Sequence, residues 1–192
     1  MSDQPRRRTA RHEATRRRIL DAAWELSAER GLTGWTLTDV GARVGMRAPS
    51  LYVYVSSKND LYDAMFADGY AQFAEVAAGV RRPRDPAAML RLAARTFVDF
   101  AVANPARYAL LFQRSVPGFE PSPDSYAAAQ ALLEESRGML AAAGATRQSD
   151  LDLWTALTTG LASQQLANDP GGRRWRRLTD EAVAMFLAAR TA

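Results

Sequence analysis

The sequence predicts an all-α fold, because apolar residues recur at helical spacing and strand signals are nearly absent. Apolar side chains three or four residues apart run through most of the 192-residue chain, and this is the periodicity of helices that bury one face. Only the stretch LYVYV, directly after Pro49, alternates like a strand, and no neighbouring segment could pair with it. With 47% hydrophobic residues, the chain can bury a sizeable core.

Four helices are predicted in the first part of the chain, and capping or stop signals bound them. They cover about residues 16–30, 36–45 and 48–54, and a fourth segment begins at Ser57 and continues past Phe73. Thr36 and Asp39 are spaced as a capping box, and Ser57 and Asp60 repeat that signature. Gly31 follows the first helix and the second ends at Gly45, as is common at helix C termini.

Five longer, alanine-rich helices are predicted after Pro86. Turn-forming stretches separate them, namely NP, PGFEPSP, AGAT and NDPGG. The predicted helices cover about residues 87–103, 106–113, 124–143, 149–167 and 173–189. The sequence therefore predicts about nine helices in total.

Positive charge is concentrated in the first third of the chain. The segment up to Lys58 holds 11 basic and 6 acidic residues, whereas the remainder holds 14 and 15. A local positive field of this kind favours a polyanionic partner for the first segment.

The residue types argue against an enzyme, a metal site or a cofactor. His12, the single histidine, lies in the charged N-terminal arm, where a histidine-based acid–base site or metal cluster would have no structured cavity. Acidic residues lack metal-loop spacing, and no glycine-rich phosphate loop is present. The absence of cysteine fits a reducing compartment, so we expect a cytoplasmic protein. Acidic residues interrupt the segment after the arginine-rich start, so we expect neither a signal peptide nor a membrane span.

Residues 37–55 combine a short helix, a tight turn and a second short helix. Gly41 is small where the helices approach, Gly45 can adopt the left-handed conformation of the turn, and Pro49 suits a first helical turn. Such a pair forms a helix-turn-helix, whose second helix enters the DNA major groove. A glycine-kinked helix in an ordinary bundle has the same local pattern, but the basic arm before it and Lys58 after it favour DNA binding.

The stretch TLTDVGARVGMRAPSLYVYVSSKNDLYDAM resembles the DNA-binding domain of the TetR family of bacterial transcriptional regulators. The resemblance covers about residues 16–66. Gly41 replaces the family's usual alanine, Arg47 its common serine, and Tyr54 and Val55 its common histidine and phenylalanine. The stretches RYALLFQRSVPGFEPS and LWTALTTGLASQQLANDPGG resemble, more loosely, the family's ligand-binding and dimerisation domain.

The resemblance implies a two-part regulator. We expect a disordered basic arm at residues 1–15, a helix-turn-helix DNA-binding domain at 16–66, and a larger helical ligand-binding and dimerisation domain at 67–192. The implied function is a sequence-specific transcriptional regulator, a repressor that a small apolar or amphipathic ligand releases from operator DNA. The alternatives are an activator of the same fold and a non-specific architectural DNA-binding protein.

Candidate DNA contacts lie in the arm, the helix-turn-helix and the start of the fourth helix. The resemblance places Tyr52 on the outward face of the recognition helix and Lys58 at a helix N terminus that favours phosphate; a half-buried tyrosine and a solvated lysine are the alternatives. Arg47 could read a guanine edge or hold a phosphate. The arm arginines could contact phosphates or the minor groove, or form a solubilising tail. The full set is Arg6, Arg7, Arg8, Arg11, Thr36, Thr38, Arg47, Ala48, Pro49, Ser50, Tyr52, Tyr54 and Lys58.

Aromatic and polar residues of the second part are candidates for a small-molecule site. Each aromatic residue at helical spacing is first a core residue, but aromatics interleaved with amides and a hydroxyl could line an apolar cavity with a few polar groups. The candidates are Phe97, Phe100, Tyr108, Phe112, Gln113, Phe119, Trp154, Thr158 and Gln164.

A homodimer is expected because one short recognition helix covers only a few base pairs. Two such helices can read a near-palindromic site about one helical turn or more apart. The last two helices are the candidates for a four-helix interface. The candidate contacts are Leu153, Leu157, Leu161, Val183 and Phe186.

Overall fold

The protein is described by a computed structural model that covers residues 4–191, with the side chains of residues 10–47 and 49–190. This range contains nine α-helices, a short 3-10 helix at Arg176–Leu178 and no strand, so the all-α prediction is confirmed. The helices are α1 (Gln4–Arg30), α2 (Leu37–Val44), α3 (Ala48–Leu51), α4 (Lys58–Ala78), α5 (Pro86–Ala103), α6 (Pro105–Phe112), α7 (Pro123–Ala142), α8 (Gln148–Asn168) and α9 (Thr179–Thr191). None of the helices in the described range has the length and hydropathy needed to cross a lipid bilayer.

The first helix is longer than the sequence analysis predicts. Because α1 begins at Gln4, residues 4–15 are helical, which corrects the disordered arm predicted at 1–15; residues 1–3 lie outside the described range. Arginine and alanine are good helix formers, and neither glycine nor proline occurs between residues 6 and 30. The high charge of residues 4–15 therefore does not prevent them from extending the helix beyond its buried part, which begins at Ile19.

The last helix is shorter than predicted, because α9 begins at Thr179 rather than near residue 173. The side-chain oxygen of Gln165, a fully buried residue of α8, accepts the backbone N–H groups of Trp175 and Arg176 at 2.9 and 3.1 Å. The Asp169 carboxylate accepts the N–H of Arg174 at 2.7 Å. These bonds hold the preceding segment as a turn, and a short 3-10 helix then leads into α9.

Local signals form the helix-turn-helix as predicted. Thr36 and Asp39 make a reciprocal capping box, in which the Thr36 hydroxyl accepts the Asp39 N–H and the Asp39 carboxylate accepts the Thr36 N–H. Gly45 ends α2 with φ 72°. A Cβ atom on the buried Gly41 would lie 2.9 Å from the backbone oxygen of Met46, so a larger residue here would force the turn to move away from α2.

Helices α2 and α3 are held against α1 and α4 by apolar and charged contacts. Val40 and Leu51 are fully buried in one cluster with Ile19 of α1 and Leu61 of α4. On the surface, the Arg43 guanidinium of α2 forms ion pairs with two carboxylates of α1, those of Glu25 and Glu29. The arrangement fixes the direction of the short helix α3.

The hydrophobic core continues from the helix-turn-helix into the second part of the molecule. The cluster that contains Val40 and Leu51 also contains Phe73 of α4 and Phe100 of α5. A second cluster joins α5, α7, α8 and α9. The predicted boundary between residues 66 and 67 lies inside α4, so the two predicted domains share one continuous helix.

We expect Gly41→Ala to destabilise the protein by about 1–3 kcal/mol, because the added methyl group must displace the backbone of the turn. Gly138→Ala is the matched control. Gly138 is an exposed residue of α7 with open space around its Cβ position, and alanine there should stabilise the helix by about 0.5–1 kcal/mol. Urea unfolding of both variants and the parent measures these differences. Equal stability of Gly41→Ala and the parent would contradict the packing described.

Candidate nucleic-acid interface and internal cavity

The outer face of α3 and the residues beside it form an exposed surface. Arg47, Pro49 and Ser50 are exposed, and Tyr52 is 55% exposed. Among the described residues, neither Arg47 nor Tyr52 has a side-chain hydrogen bond or ion pair. The side chain of Ala48 lies outside what the structure describes. The surface therefore offers an arginine and a tyrosine whose polar groups are free to meet DNA.

Lys58 points inward rather than into solvent. Its ammonium group donates to the carbonyl oxygens of Trp35 and Thr33 and lies 4.3 Å from the centre of the Trp35 ring. Partial burial lowers its pKa, an effect that the nearby Asp39 carboxylate opposes. Because an ammonium group has three N–H donors, one remains for a phosphate. The phosphate contact of Lys58 stays a prediction. It requires the ammonium group to bind a phosphate while it keeps its hydrogen bonds to the two carbonyl oxygens.

Thr36, just before α2, and Thr38, within it, are both exposed, but only the Thr36 hydroxyl forms a hydrogen bond within the described part of the chain. The Thr36 hydroxyl is part of the capping box, with its oxygen 2.6 Å from the Asp39 carboxylate. Thr38 has no side-chain hydrogen bond among the described residues. Thr38 is therefore the freer of the two to contact a phosphate.

The N-terminal part of α1 packs against the segment that follows α3. His12 is stacked on Tyr54, with ring centroids 4.7 Å apart, so the histidine is not in a mobile arm and the half-buried tyrosine is not a free side chain. Arg11 is exposed one residue away. The side chains of Arg6, Arg7 and Arg8 lie outside the described residues. The stacking was not foreseen, because nothing in the sequence signals a contact over this separation.

A cavity of about 350 Å³ lies among α4, α5, α6, α7 and α8. Its volume falls at the lower end of the range for small-molecule sites, roughly 300–1,000 Å³. The lining is mostly aromatic and aliphatic. Five of the nine candidate ligand residues line it, namely Phe97, Phe112, Phe119, Trp154 and Thr158.

The other four candidates lie outside the lining. Phe100 packs on Phe73, with ring centroids 5.0 Å apart, and Tyr108 is buried with its hydroxyl bonded to the Thr159 carbonyl oxygen. Gln113 and Gln164 are exposed. Helical spacing identifies a buried face, but it does not show which neighbour that face meets.

Several lining residues were missed by the sequence analysis. Phe66, Tyr70 and Phe73 line the cavity from α4, and none of them was among the predicted ligand residues. Their spacing of four and three residues, continuing past the predicted boundary, is the signal that could have found them. Helix α7 adds an aliphatic face that includes Leu132 and Met139.

The predicted dimer contacts divide into exposed and buried residues. Leu153 is 47% exposed and Leu157 is half-buried on α8. Leu161, Val183 and Phe186 are buried within the subunit; the Phe186 ring packs 5.8 Å from that of Trp154. These three residues therefore belong to the core rather than to a free surface, which corrects their assignment as interface contacts. Met185, 68% exposed on α9, is an apolar surface residue that was missed.

A carboxylate of α4 joins this helix to α1, which packs against α2 of the helix-turn-helix. Asp68 accepts hydrogen bonds from the Trp24 indole at 2.8 Å and the Arg17 guanidinium at 2.5 Å, both on α1. The Arg107 guanidinium of α6 lies 4.5 Å from the centre of the Trp24 ring. Helices α4 and α6, which line the cavity, are thus both fixed to α1.

A second carboxylate joins α4 to α7. Asp63 accepts the backbone N–H and hydroxyl of Ser122 at 2.7 and 2.8 Å, and the Ser125 hydroxyl at 2.9 Å. Burial raises the pKa of this carboxyl, but the hydrogen bonds from the two serines outweigh burial and lower it. The N terminus of α7 is therefore held to the part of α4 that contacts the helix-turn-helix.

Two family profiles match the chain. The family described as "Bacterial regulatory proteins, tetR family" matches residues 19–65, and "Tetracyclin repressor-like, C-terminal domain" matches residues 90–190. The chain is 32% identical to HTH-type transcriptional regulator Rv1816 of Mycobacterium tuberculosis over 125 residues, which are 62% of this chain and 52% of that protein. It is also 32% identical over 95 residues to HTH-type transcriptional regulator YobS of Bacillus subtilis, 49% of each protein. The chain spans about half the length of the curated relatives it matches.

Solved structures share the fold. The transcriptional regulator FadR of Bacillus subtilis, solved in complex with stearoyl-CoA, has a TM-score of 0.70 at 14% identity, over 89% of this chain and 97% of that one. The multidrug binding protein EbrR, solved with imidazole, has a TM-score of 0.66 at 22% identity, over 90% and 89% of the two chains. At these identities the likeness shows the fold alone.

The Asp63 contact should make a pH-dependent contribution to stability. Because the folded pKa is lowered, the contribution is fully present above the unfolded value of about 3.9 and is lost as the pH falls through the folded value. We expect Asp63→Asn to be less stable than the parent by about 1 kcal/mol at neutral pH, with a smaller difference near pH about 3. Urea unfolding at the two pH values measures this. A difference that does not change with pH would show that the charge of Asp63 is unimportant.

Proposed function

Because the chain belongs to the TetR family of bacterial transcriptional regulators, we propose that it is a repressor that leaves its operator when a small apolar or amphipathic molecule occupies the cavity. The observation that carries the proposal is the position of α4. This helix buries Leu61 and Met65 in one cluster with the helix-turn-helix, and Phe66 and Tyr70 of the same helix line the cavity. Cavity and DNA-reading surface therefore share one rigid element.

In this proposal, α3 enters the major groove and the surrounding residues hold the phosphates. The free guanidinium of Arg47 can donate two hydrogen bonds to a guanine edge, and Tyr52 can donate to a phosphate beside it. The third N–H of Lys58 and the exposed guanidinium of Arg11 extend the phosphate contacts to either side. Base contact gives specificity, whereas the phosphate contacts give salt-dependent affinity.

Ligand control in this proposal runs through α4, α6 and α7. A ligand can release DNA only if it binds one position of these helices better than another, because equal affinity shifts no equilibrium. The Asp63 and Asp68 contacts would carry a shift of the cavity walls to α1 and the helix-turn-helix. The similar folds of FadR with stearoyl-CoA and EbrR with imidazole support a small-molecule occupant.

A homodimer is part of the proposal, with α8 and α9 as the pairing helices. The exposed residues Leu153 and Met185, with the half-buried Leu157, replace the predicted set that contained buried residues. Two subunits would place two copies of α3 on a near-palindromic operator. Action on operator DNA in a bacterial cell would place the protein in the cytoplasm.

The direct test of DNA recognition starts from fragments of the host genome that purified protein selects. On a selected operator, deletion of residues 1–11 should flatten the slope of log affinity against log salt by up to about 0.9 for each lost phosphate contact. The deletion keeps His12 and its stacking on Tyr54. Discrimination between operator and unrelated DNA should change less than affinity. An unchanged slope would mean that the removed arginines stay in solvent, and equal affinity for all fragments would indicate an architectural protein.

Leu153→Glu combined with Met185→Glu should convert the dimer into a monomer at micromolar concentration, because charges would be desolvated at an apolar interface. Val76→Glu is the matched control, since Val76 is 49% exposed on α4. Sedimentation velocity separates the two species. A parent protein that sediments as a monomer, or a double variant that stays dimeric, would refute this interface.

Phe112→Ala should impair release by the natural inducer while operator affinity without inducer stays nearly unchanged. The ring lines the cavity, whereas the neighbouring Gln113, exposed and outside the lining, provides the control variant Gln113→Ala. In the parent, operator DNA should weaken inducer binding by the same factor by which inducer weakens DNA binding, about 5 to 150 fold. If folded Phe112→Ala responds like the parent, the cavity is not the inducer site.

A further inference from the structure

The cavity lining carries one positive charge that no other described residue compensates. Three charged residues line the cavity: Arg82, Arg114 and Glu135. Arg82 and Glu135 form an ion pair with each other. Arg114, by contrast, is an exposed residue at the edge of the cavity and has no hydrogen bond or ion pair among the described residues.

The backbone of Arg114 is in a conformation that suits glycine better. It follows the C-cap Gln113 of α6 with φ 48°, and it is the one non-glycine residue of the described chain with positive φ. Glycine is the usual residue at this position after a helix, because a side chain is disfavoured there. A strained residue at the edge of a cavity is a candidate for a functional role of its side chain.

Three hydroxyl groups of the lining are already engaged within their own helices. Thr155 donates to the Leu151 carbonyl oxygen, Thr159 to the Thr155 carbonyl oxygen, and Ser136 to that of Leu132. These hydroxyls offer lone pairs to a ligand more readily than hydrogens. The planar guanidinium of Arg114, in contrast, presents several unused N–H donors that match an oxyanion.

We propose that the cavity binds an amphipathic anion, with its oxyanion head on Arg114 and its apolar part against Phe97, Phe112 and the neighbouring rings. This inference rests on the proposed ligand control and gives its ligand a chemical class. A carboxylate and a sulfate or phosphate ester share the required chemistry. Arg82 is not the head-group contact, because Glu135 already neutralises it.

The test uses probes of one chain length and different head groups. Binding of decanoate, decyl sulfate, decanol and decylamine to the full-length protein is measured by calorimetry below their micellar concentrations. Decanoate or decyl sulfate should bind at least about tenfold more tightly than decanol, because a hydrogen bond to a charged group adds to the same apolar burial. Decylamine should bind most weakly. The tighter of the two anions identifies the head group as carboxylate or tetrahedral oxyanion.

Arg114→Gly and Arg114→Gln should each abolish the preference for the anions while leaving decanol affinity within about twofold, a change too small to count as a lost contact. Arg114→Gly should also unfold at the same or a higher temperature, because it relieves the positive φ, so loss of folding cannot explain its effect. Arg177→Gln removes an exposed arginine that is absent from the cavity lining and should change nothing.

Three results would overturn the inference. If decanol binds as tightly as decanoate and decyl sulfate, the ligand is not selected for an anionic head group, but the proposed control by a ligand in the cavity is not contradicted. If the preference for anions persists in both Arg114 variants, another group holds the head. If none of the four probes binds, both the inference and the cavity as a ligand site fail.

Discussion

Helix α4 is the element on which the rest of the structure depends, because one rigid helix packs against the helix-turn-helix and also lines the cavity. Its first turns bury Leu61 and Tyr62 among residues of the helix-turn-helix, and its later turns place Tyr70 and Phe73 in the wall of the cavity. An α-helix transmits a displacement along its axis with little internal change, since every turn is hydrogen-bonded to the next. The positions of the helix-turn-helix and of the cavity wall are therefore not independent.

Two carboxylates of α4 give this apolar contact a defined geometry. Asp68 faces α1 and Asp63 faces the N terminus of α7, and each accepts hydrogen bonds from at least two residues. Apolar packing alone tolerates sliding, whereas directional hydrogen bonds to a charged group fix one register. Any molecule that prefers a different spacing of α7 and α4 must act against these contacts, which in the proposed function connect the cavity to the helix-turn-helix.

Helix boundaries that depend on neighbouring residues could be predicted from the sequence, whereas side-chain contacts between residues far apart in the chain could not. Capping residues such as Thr36 and Asp39, and the glycines of the turn, act within a few residues, so the boundaries of α2 and the start of α4 could be predicted. The contacts of Lys58 with the carbonyl oxygens and ring of the preceding loop could not be predicted, because they join residues more than twenty positions apart; its phosphate contact stays a prediction. Helical spacing found the buried faces of α6, α8 and α9; it could not tell that Tyr108 and Phe186 fill the core while α4 supplies much of the cavity wall.

The central claim, that α4 unites the helix-turn-helix and the cavity walls in one cooperative core, can be tested by native-state hydrogen exchange at increasing urea concentrations. Amides of α1 should exchange with the same opening free energy, and the same urea dependence, as amides of α5 and α8. Opening of α1 at a lower free energy, with a smaller urea dependence while α5 and α8 stay protected, would contradict it. The helix-turn-helix would then be an independent unit that a ligand in the cavity could not reach through α4.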